Sequence, residues 1–200
     1  MMKGALAQAA CLGMMGCGLV GPQETTTQDI RPAAGEDHRL VGRGRNLITH
    51  GVYANSLNIC LRGEARRIWP LLEQGLQLWL DAIAETGGRP TAPVRLVCPD
   101  RSYHLSVAFP GNHSMVMRSD RGAPVMTIAG QHGQRGDIIF HELGHAFGLS
   151  DFYHHDDLCR PGNRNIMCRA PAGKGIQELE RRGLAMIIGD LKDRLAITAE

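Results

Sequence analysis

The order of patterns along the chain predicts a small α/β, or α+β, domain on a mixed twisted sheet, with one helix carrying the functional site and another near the C-terminus. Two observations carry this reading. Short alternating stretches are interleaved with segments whose apolar residues recur at helical spacing. Hydrophobic residues make up 43% of the 200 residues, but aromatics only 4%, so the core must rest on Leu, Ile, Val, Met and Ala. A chain of this length has room for one such core.

The elements follow in order. "VYANSLNICLR" (Val52 to Arg62) alternates and reads as a first strand. A helix follows with Pro70 in its first turn, where a missing N–H costs nothing. Leu72, Leu76, Trp79 and Ile83 then recur at spacings of four, three and four, giving one apolar face that "GGRP" closes. "PVRLVC", "YHLSVAF", "SMVMRS" and "PVMTIAG" are strand candidates, the last two separated by the turn signal "DRGAP". A second helix starts at "GDIIFHELGH", with Asp137 expected to cap it. After a long irregular stretch, Ile176 to Leu195 is helical, with Leu184, Ile187, Ile188, Leu191 and Leu195 on one face.

The first 45 residues are of another kind. "MMKGALAQAACLGMMGCGLVG" has one lysine and then small and apolar residues, as in a secretory leader, and "GMMGC" resembles a bacterial lipobox with Cys17 as the lipidated residue. Residues 1–17 are thus expected to be leader and 18–45 a polar, Gly/Pro-punctuated tether, leaving 46–200 as the folded domain. Any membrane association is expected only through that lipid. Setting Cys17 and the leader aside leaves Cys60, Cys98, Cys159 and Cys168, which can form two disulfides in three connectivities in an exported chain. The net charge of +2 and pI near 8.3 do not suggest a nucleic-acid partner, and no basic cluster with interleaved aromatics is present.

The chemistry is concentrated in "HELGHAFGLSD", His141 to Asp151. Residues four apart share one helix face, so His141 and His145 can present two imidazole nitrogens to one metal ion. Glu142 is displaced around the helix and can take a proton from a water that zinc has acidified toward a pKa of about 7. A catalytic zinc needs three protein ligands and an open position. Gly148 can adopt positive φ and stop the helix sharply, so that the chain turns back and Asp151 supplies the third ligand. The apolar neighbours Phe140, Leu143, Ala146 and Phe147 place this face inside the molecule, where unpartnered histidines and a glutamate would be costly.

This run resembles the extended zinc motif of the metzincin metalloproteases, with an aspartate where most of that clan has a third histidine. With Tyr153 two residues on, it is similar to the snapalysin-type small secreted bacterial proteases. The resemblance spans roughly residues 46–200. It implies a metzincin-like fold, one catalytic zinc on His141, His145 and Asp151, Glu142 as general base, and a methionine turn for which "RNIMCR" supplies Met167. Tyr153 is a possible accessory group at the reacting carbonyl. Arg169 stands where some families of the clan place a tyrosine ligand, and no cysteine-bearing latency segment is recognised. In "HHDD", His154 or the adjacent His155 is an alternative metal ligand. Cys159 and Cys168 flank the segment between the zinc helix and the methionine turn, and a disulfide there would pin that loop, leaving Cys60 to pair with Cys98.

The expected protein is thus an exported, secreted or lipid-anchored zinc endopeptidase acting as a monomer on peptide or protein substrates. The substrate would pair along an edge strand, for which "SMVMRS" is the candidate. Two rivals stand beside it: a zinc enzyme whose third ligand is a distant helical glutamate such as Glu178, and a non-catalytic envelope lipoprotein that binds peptides or uses zinc structurally.

Overall fold

The computed structural model describes residues 39–42, 56–88, 94–98, 102–119, 122–159, 164–168 and 175–197. The leader and Cys17 lie outside the described residues, as do residues 52–55 at the start of the expected first strand and Arg169. Five strands and three helices make the mixed α/β architecture: β1 (Leu57–Gly63), α1 (Trp69–Glu85), β2 (Val94–Leu96), β3 (Leu105–Gly111), β4 (Met115–Ser119), β5 (Gly122–Ala129), α2 (Gly136–Ala146) and α3 (Glu178–Ile197).

The strands form one sheet in the order β2-β1-β3-β5-β4. The first four in that order are mutually parallel, and β4 pairs antiparallel with β5 at the edge. Parallel neighbours need a long crossover, and α1 supplies the one between β1 and β2. The expected turn "DRGAP" is shorter in the structure, because β5 already begins at Gly122 and includes Pro124. Proline, which cannot donate to a ladder, is tolerated there because the β4–β5 register shifts between Met117 and Ser119.

The expected apolar face of α1 (Leu72, Leu76, Trp79 and Ile83) is fully buried, together with Leu57, Ile59, Leu105 and Val107 from the sheet. Trp79 also donates its indole N–H to the Phe140 carbonyl at 2.9 Å, tying α1 to α2. Two disulfides are present. Cys60–Cys98 joins β1 to the segment after β2, and Cys159–Cys168 closes a short loop beyond α2. Disulfides persist in oxidising compartments, so they mark an extracytoplasmic chain. Among the described residues no helix is long and apolar enough to cross a membrane.

Two expectations need correction. Asp137 is not the cap of α2, which is Arg135; its carboxylate is engaged by the Arg135 guanidinium at 2.6 and 2.9 Å instead. It still stands in the first helical turn, where a negative charge is favoured. The second correction concerns the stretch read as a tether up to residue 45. Residues 39–42 lie against the segment that follows α2. Val41 forms an antiparallel bridge with Leu149, Gly42 N–H donates to Gly148 at 2.9 Å, and Ser150 N–H donates to Leu40 at 3.0 Å. Arg39 pairs with Asp157 at 2.9 Å, and Leu40 is only 2% exposed. A local reading misses such a contact because the partner is remote in sequence.

Leu40→Ala should therefore behave as a core truncation and cost about 2–5 kcal/mol in urea unfolding of the disulfide-intact protein. A change within roughly 0.5 kcal/mol, as at an exposed site, would contradict the packing of this segment.

Candidate metal centre

The site is built by α2 and the two segments that hold its C-terminal half. Phe147 closes the helix, and Gly148 follows at φ 102°, the left-handed region that glycine enters without strain. This is the sharp stop expected at Gly148, and it turns the chain so that Asp151 comes back toward the histidines. His141 Nε2 and His145 Nε2 are 3.1 Å apart, and Asp151 Oδ1 lies 3.1 Å from the first and 3.2 Å from the second. Three ligand atoms thus form a nearly equilateral triangle.

The hydrogens of the two rings can be located by deduction. His141 Nδ1 is 2.9 Å from the Ile166 carbonyl, and His145 Nδ1 is 3.0 Å from the Leu149 carbonyl. A carbonyl only accepts, so each Nδ1 carries the hydrogen and a neutral ring presents an Nε2 lone pair. Asp151 Oδ1 is buried and accepts no hydrogen bond, even though both Nε2 atoms are close. A single proton could bridge one edge of this triangle; a cation at its centre would satisfy all three corners. For bonds of about 2.0–2.1 Å at tetrahedral angles, ligand atoms sit roughly 3.3–3.4 Å apart, so the donor set fits a zinc-sized ion with little adjustment. The group can hold a metal ion, and among the described residues no fourth His, Cys, Asp or Glu joins it.

Burial raises the Asp151 carboxyl, but the two imidazoles beside it outweigh burial and hold it well below the usual carboxylate range, as they do when a proton rather than a cation bridges the trio. Burial alone would lower His145, yet the Asp151 carboxylate and the Leu149 carbonyl raise it overall. Glu142 is next to the cluster but not in it. It is 6% exposed, its Oε2 has no hydrogen-bond partner, and burial raises its carboxyl against the pull of His145 and His141.

Met167 is fully buried beneath α2, where a β-carbon at Gly144 would collide with its sulfur. The same turn serves the ligands through its backbone. Ile166 accepts from His141, and Met167 accepts from the Phe152 N–H at 2.9 Å, directly after Asp151. Cys168 is bonded to Cys159 on the intervening loop. The Tyr153 ring stacks on His141 with centroids 6.5 Å apart. His154 is exposed and His155 half-buried; neither belongs to the ligand group, and nor does the exposed Glu178.

Two hollows meet at the cluster. One, of about 780 Å³, runs past Arg39, Val41 and the start of β4 to His154; the other, of about 330 Å³, reaches Ile138, His132 and Cys168. His141, Glu142, Ser114 and Tyr153 line both. Glu180, unlike these, was not singled out from the sequence. Fully buried, it accepts from the Met167 N–H at 3.2 Å and the Gln177 N–H at 3.0 Å. The available signal was its position four residues before Leu184, on the apolar face of α3.

Asp151→Ala should weaken metal retention against a competing chelator by more than the roughly 10–100-fold lost with an outer-shell partner. The double change His154→Ala with His155→Ala should leave retention unchanged. The opposite pattern would move the third ligand to the histidine pair.

Comparison with protein-family models, with curated proteins and with solved structures returns no match, so the reading of this centre rests on its own residues.

Proposed function

We propose that the chain is an exported zinc-dependent endopeptidase of the metzincin type. The observation that carries the reading is Glu142: a buried carboxylate with an unpartnered oxygen, beside a three-ligand group but outside it. A site that used metal only to hold the fold would have no use for such a group, whose desolvation is costly. Two imidazoles and a carboxylate with an open position are a known catalytic zinc donor set, and zinc when bound would supply Lewis acidity. The disulfides support export, and lipidation at Cys17 would keep the enzyme at the cell envelope.

The chain's own residues then divide the work. The outer edge of β4, whose Met115 and Val116 line the larger hollow with the preceding Ser114, accepts an extended peptide as an added strand. That alignment lays the scissile bond across the hollows where they meet. Glu142 takes a proton from the attacking water as its oxygen bonds to the carbonyl carbon, and returns it to the departing amine as the C–N bond breaks. Tyr153 is our candidate for donating a hydrogen bond to the reacting carbonyl oxygen.

Glu142→Gln keeps the size of the side chain and removes its basicity. Turnover of peptides from a broad library should fall by about 10²–10⁴-fold while folding and zinc content persist. Wild-type protein that holds zinc and cleaves no peptide would favour a binding module, and activity that survives the substitution would assign the base elsewhere.

A further inference from the structure

Glu180 costs free energy where it stands. A carboxylate buried among apolar side chains is expensive unless its hydrogen bonds are strong. The rest of that face of α3, Leu184, Ile187, Ile188 and Leu191, is aliphatic. Half of its bonding is local and familiar. Gln177 directly precedes the helix and Glu180 is its third residue, so the bond from Oε2 to the Gln177 N–H is the backward arm of a capping box. The other half has no role in the helix. Oε1 accepts from the N–H of Met167, thirteen residues earlier in the chain.

That N–H belongs to the peptide unit whose carbonyl is Ile166's, and the Ile166 carbonyl accepts from His141 Nδ1 at 2.9 Å. One peptide group is thus held by Glu180 on its nitrogen side and holds a ligand on its oxygen side. We propose that Glu180 is a positioning residue for the metal centre: through the Ile166–Met167 peptide it sets the tautomer and the ring orientation of His141. Outer-shell partners of ligating histidines are commonly carboxylates or carbonyls in direct contact. Here the carboxylate acts one peptide removed, and polarisation along the chain strengthens the bond to His141. The inference rests on the metal-site reading, and its test separates the two.

The test is titration of the full, disulfide-intact chain, freed of metal, with cobalt(II), read from its visible absorption bands. Glu180→Gln replaces one acceptor with an N–H₂ group that confronts a backbone N–H. Cobalt affinity should fall by about 10–100-fold, and the bands should change position and intensity as His141 turns. Leu184→Ala, on the same helix face, destabilises the fold without touching this peptide, so its folded protein should keep wild-type affinity and bands. Glu180→Asp, with its shorter reach, should shift affinity in the same direction as Gln, and it carries the test if Glu180→Gln does not fold. Wild-type affinity and bands in the Glu180 variants, or changes matched by Leu184→Ala, would overturn the inference alone. Wild-type protein that takes up no cobalt would overturn the metal-site reading and the inference together.

Discussion

Two imidazoles and a carboxylate do not converge by choice, and what holds them is a pair of hydrogen bonds from ring nitrogens to backbone carbonyls. Ile166 fixes His141 and Leu149 fixes His145. Each bond commits one ring nitrogen as donor and leaves the other as a lone pair aimed at the common centre. Turn either ring over and the ligand set is lost, whatever the helix spacing. The geometry of the site is therefore only as good as the two backbone segments that carry those carbonyls, and much of the surrounding structure clamps them.

The Leu149 segment is clamped from the N-terminal side. Residues 39–42 pair with residues 148–150, Leu40 anchors that pairing in the core, and Arg39 reaches on to Asp157. The Ile166 segment is clamped from below and behind. The Met167 side chain fits under α2 because Gly144 has no β-carbon, and Cys168 is bonded to Cys159. Asp151 sits between the two clamps, since Ser150 donates to Leu40 and Phe152 donates to Met167. The third ligand needs no dedicated partner, because its neighbours on both sides are pinned. Such preorganisation is what a metal site requires if binding is not to be offset by ordering a loose loop.

Much of this was legible from local pattern. Histidines four apart on an apolar background give both ligands on one helix face, and a glycine three residues later predicts the positive φ that brings Asp151 back. The strand and helix order follows from alternation and from helical spacing. What was not legible is non-local or disguised. Residues 39–42 are punctuated by glycine and charge and read as tether; their structure comes from backbone pairing with a segment more than a hundred residues away. Glu180 hides as the one acid on an aliphatic face, where a polar residue looks like an interruption of the pattern. Asp137 had the right residue type for a cap, but Arg135 lay close enough to take its carboxylate. In each case the competing partner decided the outcome, and composition does not reveal the partner.

The central claim is that His141 Nε2, His145 Nε2 and an Asp151 oxygen share one zinc ion and leave a position open for chemistry. Diffraction from crystals of the exported protein, recorded on both sides of the zinc absorption edge, tests it most directly. The account predicts one anomalous peak at about 2.0–2.2 Å from each of those three atoms, with no further protein ligand. A peak bound instead by His154, His155 or a fourth side chain, or no peak within the triangle, would contradict it.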